Sequence, residues 1–275
     1  MFSASGTAAL TAPIPNAPAH RLACAGATDP GRVRSHNEDR FGVYPDVGLF
    51  IVADGLGGAA AGEIAARMAI ELVCESLIDP DVTWPRGTTK SGTGLPLLVD
   101  AIQRANHCIH GAALRNPAWR GMGTTVVALL AQGSRAALVH VGDSRIYRLR
   151  DRRLAQLTED HSLFNDFVRL GRADPARPEA FHFHNVITRA VGTHEEVEVD
   201  ARLVDAAPGD TFLLCSDGLS GVLTRGQIES ILVAHADVDE AAEQLISAAN
   251  LRGGPDNITV VLVRWEAGAV SRARS

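Results

Sequence analysis

Strands group with strands and helices with helices along this chain, and that grouping constrains the fold most. Residues 22–28, 40–44 and 48–53 read as short strands. Residues 60–78 then read as a helix, because Ile64, Met68 and Leu72, and beside them Ala65, Ala69 and Val73, recur at every fourth position. A second helix over 97–114 carries Leu98, Ile102, Ala105 and Ile109. Four strands follow at 124–131, 136–141, 145–149 and 153–157. Turn residues at Gln132-Gly133-Ser134 and Asp151-Arg152 predict that they form an antiparallel meander. A short helix is expected over 162–170, an irregular stretch over 171–185, and strands over 196–205 and 211–215. Helices over 227–235 and 238–251 and a closing strand over 257–265 complete the series. Two helices in succession on each side of a block of strands imply an α+β protein, with stacked antiparallel sheets covered by helix pairs.

The 275 residues suit one large domain or two small ones. No linker or repeat divides them, so 22–266 is expected to be a single domain, with a loop over 79–96. Residues 1–21 are Ala- and Pro-rich, lack the basic and apolar stretches of a signal peptide, and read as a flexible extension. Residues 267–275 read as a tail. The formal net charge of −6 argues against a nucleic-acid or anionic-membrane binder. Apolar runs such as Phe50 to Ala53 fall far short of the roughly 18 residues of a membrane span. Cys24, Cys74, Cys108 and Cys215 are too scattered for a disulfide scaffold or a zinc site, which suits reduced thiols in a cytoplasmic protein.

The acidic residues carry the chemistry. Asp54 ends the apolar run Phe50-Ile51-Val52-Ala53 and precedes Gly55. Asp143 follows Val141-Gly142, Asp217 lies between Ser216 and Gly218, and Asp256 immediately precedes Asn257 and an apolar strand. Glu38 and Asp39 sit just before another strand. A lone Asp-Gly is an ordinary turn. Several carboxylates on one rim repel each other unless cations lie between them, and hard oxygen donors suit Mg²⁺ or Mn²⁺.

These residues sit in motifs that resemble the metal-dependent serine/threonine protein phosphatases, the type 2C family, and its bacterial branch more closely. The matching stretches are Gly31-Arg-Val-Arg34-Ser-His-Asn37-Glu38-Asp39, Val52-Ala-Asp54-Gly55-Leu-Gly57-Gly58, Gly121-Met-Gly123-Thr124-Thr125 and Val141-Gly-Asp143-Ser144-Arg145. They continue, in family order, with Leu157-Thr-Glu-Asp160-His161-Ser162, Asn185-Val-Ile-Thr188-Arg189-Ala-Val-Gly192, Ser216-Asp217-Gly218 and Asp256-Asn257. The resemblance spans about 22–265 and implies a four-layer α-β-β-α sandwich of two mainly antiparallel sheets flanked by helix pairs. It implies hydrolysis of phosphoserine and phosphothreonine monoesters by a water bridging two metal ions, Mn²⁺ or Mg²⁺, with a third, weaker ion in many bacterial members.

By the same resemblance Asp54 bridges the two ions and Gly55 offers its carbonyl. Asp217 and Asp256 ligate the first ion, Glu38 the second and Asp143 the third. Asp39 and Asn257 support the ligands from behind. Arg34 matches the arginine that grips the phosphate, and its planar guanidinium suits a bidentate contact. Many eukaryotic members carry a histidine after the bridging Asp-Gly as general acid; Leu56 stands there instead. His161, His36 and a metal-bound water are the options that remain. A flap is expected over about 164–186, with His182 and His184 on its surface. Thr124, Thr125 and Glu63 are explained by strand propensity and the helix dipole without any catalytic role.

The expected partners are phosphorylated proteins, either the targets of a bacterial serine/threonine kinase or the kinase itself. The chain is expected to be a cytoplasmic monomer. A catalytically silent phosphoprotein-binding regulator is the alternative from another class, and it would be expected to lack one of Asp54, Asp217 or Asp256. A phosphatase of small phosphorylated molecules is a further alternative, since the motifs locate the phosphate and not its carrier.

Overall fold

The computed structural model describes residues 21–57, 61–78, 94–177, 180–183 and 186–266. The expected extension (but for Arg21), the tail, most of the 79–96 loop and His184 lie outside the described residues.

Twelve strands and six α-helices are described. The first strands are β1 (Leu22–Asp29), β2 (Arg40–Tyr44), β3 (Leu49–Ala53) and the short β4 (Gly55–Leu56). The helices α1 (Ala61–Ile78) and α2 (Leu95–Arg115) follow, and then β5 (Gly123–Thr124), β6 (Val126–Gln132), β7 (Arg135–Val141), β8 (Arg145–Arg150) and β9 (Arg153–Gln156). Next come α3 (Leu163–Arg169), β10 (Asp200–Asp205), β11 (Thr211–Cys215) and α4 (Asp217–Ser220). The chain closes with α5 (Arg225–Ala234), α6 (Val238–Leu251) and β12 (Ile258–Trp265).

One five-stranded sheet runs β1-β12-β11-β8-β9 and the other β10-β7-β6-β3-β2, with antiparallel pairing throughout. Alternation along each strand sends every second side chain to the opposite face. Phe50 and Val52 of β3 therefore meet Phe212, Leu214, Val261, Val263 and Trp265 between the sheets. Leu49, Ile51 and Ala53 face α1 and α2 instead. Leu213, Cys215, Val260 and Leu262 face α4, α5 and α6. The result is the expected four layers, helix pair, sheet, sheet and helix pair.

The predicted four-strand meander is corrected. β6 pairs with β7 and β8 with β9, but β7 and β8 belong to different sheets. The chain crosses between sheets at Gly142-Asp143-Ser144, and β8 pairs with β11 rather than with β7. Ile146 then lies between the sheets. Two smaller differences follow from the same ladder. The run over 124–131 breaks at Thr125, and the strand expected from 196 begins at Asp200, where pairing with His140 starts.

Candidate active site

β3 runs out of its ladder at Ala53 and delivers Asp54 to the rim. The backbone of Asp54 is pinned. Its N–H donates to Thr125 Oγ1 at 3.2 Å, and its carbonyl accepts from Thr125 N at 2.8 Å and Thr124 Oγ1 at 2.9 Å. Thr125 Oγ1 lies 2.7 Å from Ser144 Oγ, so the strand that carries Asp54 is tied to the crossing that carries Asp143. The neighbouring Gly55 packs against the first turn of α1. A Cβ on Gly55 would lie 2.3 Å from the Gly62 carbonyl oxygen, and a Cβ on Gly62 would lie 2.3 Å from Glu38 Oε2. Close approach, rather than unusual torsion, requires glycine at both positions.

Asp217 opens α4 at the end of β11, and Asp256 closes the turn before β12. Asn257 ties these parts together. Its Oδ1 accepts from Glu38 N at 2.8 Å, and its Nδ2 donates to the Pro30 and His36 carbonyls at 3.0 and 2.8 Å. Asp39 is buried, and one of its oxygens accepts from Ser216 Oγ at 2.7 Å. Ser216 Oγ itself accepts from Thr259 N at 3.0 Å. Arg34 is more than half exposed and donates to Asp256 Oδ2 at 2.7 Å.

The acids form one electrostatic unit. Burial raises the Asp54 carboxyl well above the ordinary range, with further contributions from Asp39, Asp217, Asp143 and Asp256. Burial first and Asp256 second raise Asp217, while a hydrogen bond with Asp54 opposes that rise. Asp143 is pushed up to about 7 by burial and then by Asp217, and Asp39 to about 6, mainly by burial. Glu38 is raised by burial. Asp39 Oδ1 and Asp143 Oδ1 are buried without a hydrogen-bond partner. Clustered carboxylates with orphaned oxygens, and few basic groups among them, are a donor set for hard divalent cations.

The structure thus draws Glu38, Asp39, Asp54, Gly55, Asp143, Asp217, Asp256 and Asn257 together, with Arg34 at the edge. His161 is buried and turned elsewhere. Its Nδ1 accepts from Gly142 N at 3.1 Å, and its Nε2 faces Asp200 Oδ2 at 3.3 Å. His36 is exposed beside Glu38. In the flap region, α3 and the loop after it form an aromatic group of Phe164, Phe167 and Phe181, with exposed His182 against Phe183. Sequence reasoning missed the hydroxyls of Thr124, Thr125, Ser144 and Ser216. A polar pair opening an apolar strand and a serine before an aspartate were the available signals, and strand propensity accounts for the first equally well. Glu63 pairs with Arg40 at 2.6 Å.

Known proteins resemble this chain over most of its length. A sequence profile described as Protein phosphatase 2C matches residues 31–256. The serine/threonine phosphatase stp of Listeria welshimeri is 39% identical over 242 residues, covering 86% of this chain and 93% of that one. The serine/threonine protein phosphatase PstP of Mycobacterium tuberculosis is 40% identical over 243 residues, 88% of this chain but 44% of the longer PstP. A crystal structure of the PstP catalytic domain in complex with two manganese ions superposes with a TM-score of 0.77 at 37% identity, covering 90% of this chain and 99% of that one. This chain belongs to the protein phosphatase 2C family.

Proposed function

We propose that the chain hydrolyses phosphoserine and phosphothreonine monoesters on proteins, using Mn²⁺ or Mg²⁺. The observation that carries this reading is the convergence of Glu38, Asp54, Asp143, Asp217 and Asp256, from five separate segments, on one rim, where burial raises the carboxyl pKa values of Glu38, Asp54, Asp143 and Asp217. Asp54, Asp217 and Asp256 would hold one ion, Asp54 and Glu38 a second, and Asp143 a third, with the Gly55 carbonyl a further donor beside Asp54. When bound, such ions lower the pKa of a water and neutralise charge that develops on the phosphoryl group.

The chain's own residues do the rest. Arg34 reaches over the rim from its place on Asp256 and binds the phosphoryl oxygens with its planar fork. Asn257 fixes Glu38 through its backbone and thereby sets where that carboxylate points. Both His161 ring nitrogens face Gly142 and Asp200, so we assign the leaving-group proton to water at the site rather than to His161. Residues 22–266 form the catalytic domain, and 1–21 and 267–275 are appendages to it. The substrates are the targets of a serine/threonine kinase, or that kinase itself, met by a cytoplasmic monomer. Among the described residues no helix is long and apolar enough to cross a membrane.

Hydrolysis of phosphoserine and phosphothreonine peptides with added Mn²⁺ tests the reading. The native chain releases phosphate, and Asp54→Asn removes nearly all activity with an unchanged circular dichroism spectrum. Activity confined to small phosphate esters, or a fully active Asp54→Asn, overturns it.

A further inference from the structure

Two buried histidines with no part in the proposed chemistry grip the chain just before Asp143. His140 and His161 are 3% and 2% exposed, and their ring centroids lie 4.3 Å apart with the ring planes tilted by 32°. The Gly142 carbonyl accepts from His161 N and from His140 Nε2, each at 2.8 Å. The Gly142 N–H donates to His161 Nδ1 at 3.1 Å. Those contacts place the ring hydrogen on Nε2 in both residues. His161 Nε2 then faces Asp200 Oδ2 at 3.3 Å, while Arg189 Nη1 holds Asp200 Oδ1 at 3.0 Å. Gly142 has a φ of +109°, and a Cβ there would lie 2.6 Å from the side chain of Thr125. The peptide that delivers Asp143 is therefore held on several sides, whereas Asp143 Oδ1 itself has no partner. Its direction comes from the backbone.

His140, His161 and Asp200 also offer ligand atoms within 4.8 Å of one another, a set of residue types that suits a transition-metal ion. The network argues against that use. Gly142 N–H occupies the free lone pair of His161, and Arg189 Nη1 stands 3.2 Å from its other nitrogen.

We propose that His161, oriented by Asp200 and backed by His140, positions Asp143, and so sets the affinity of the cation held at Asp143 without altering the ions at Asp54, Asp217 and Glu38. The inference rests on reading Asp143 as a cation ligand. Outer partners of a metal ligand are typically worth about 10–100-fold in affinity.

Calorimetric titration with Mn²⁺ reads the sites without reference to activity. The native chain shows a weak class of site beyond the tight ones, and Asp143→Ala removes it. A weak class that survives Asp143→Ala, or that the native chain lacks, overturns the reading of Asp143. With that control passed, His161→Leu weakens the weak site about 10–100-fold and leaves the tight sites unchanged. His161→Asn, which keeps an acceptor for Gly142 N–H but loses Asp200, falls between, and Asp200→Asn weakens the site in the same direction. Unchanged weak-site affinity in His161→Asn and Asp200→Asn overturns the proposal, and those two variants decide it if His161→Leu does not fold. A parallel fall at the tight sites also overturns it, because that marks general damage.

Discussion

Arg34 and Asp256 share a contact that two functions claim. The guanidinium donates to a carboxylate oxygen that a cation would also take. Phosphate binding requires Arg34 to leave that oxygen or to share it. Arg34→Ala is therefore expected to raise KM for phosphopeptides roughly tenfold or more, the worth of a charged hydrogen bond. Its Mn²⁺ affinity should hold or tighten slightly, because Asp256 loses a competitor. Steady-state kinetics beside a metal titration checks both halves, and an unchanged KM excludes Arg34 from the phosphate. The carboxylates give a second expectation. Asp143 titrates near 7 and Asp39 near 6, and Asp54 lies well above the ordinary range. A raised carboxyl keeps its proton up to that higher pH, and a cation must displace it. Mn²⁺ binding should therefore release protons at pH 6 and fewer at pH 8, with weaker affinity at the lower pH. Calorimetry in buffers of different ionisation enthalpy measures the release, and equal release at both values contradicts the shifted carboxyls. The sequence showed the acids, their expected repulsion and Arg34 as the arginine for the phosphate; the Arg34–Asp256 contact and the size of the carboxyl shifts were not visible in it, because burial and packing are properties of the assembled rim.

Elements deliver these side chains, and here the sequence was legible unevenly. Apolar runs that stop at Asp54 and Asp217 marked β3 and β11 within a residue of their ends, since local hydrophobic pattern alone sets them. The crossing at Gly142 was not legible. Whether β8 pairs with β7 or with β11 depends on strands far away in sequence, and a turn signal nearby carries no information about it. The four-residue α4 was missed for a related reason, being too short to show a period. The start of α1 offers a test. Gly62 lies inside that helix, where alanine would be favoured by roughly 0.8–1 kcal/mol on propensity alone. A methyl group there would meet Glu38 Oε2 and the backbone of Gly55. Gly62→Ala should displace Glu38, raise the Mn²⁺ concentration needed for half-maximal activity, and lose activity despite the better helix former. A variant more stable than the native chain with unchanged metal demand would show that the close approach does not matter.

At the scale of the whole molecule, the site stands where two sheets end together. Asp54 leaves one sheet, Asp217 and Asp256 flank strands of the other, and Asp143 lies on the link between them. The apolar layer between the sheets, with Phe50, Phe212 and Trp265 fully buried, holds those ends in register from within. At the rim the carboxylates gather, and like charges push the ends apart. Cations that bind there bind the folded chain alone, because the unfolded chain cannot gather residues so distant in sequence. A ligand at a hundred times its dissociation constant then stabilises the fold by about 2.7 kcal/mol. For a domain of this size each kcal/mol moves Tm by about 2–4 °C. Saturating Mn²⁺ is thus expected to raise Tm by roughly 5–10 °C over the chelated protein. Asp54→Asn should change the picture in two ways. It removes one of the repelling charges, so the chelated variant should melt at or above the native temperature, and it should lose most of the Mn²⁺-induced rise. Scanning calorimetry of both proteins, with chelator and with Mn²⁺, checks this. An equal rise in the variant would place the cations somewhere other than between the two sheets' ends.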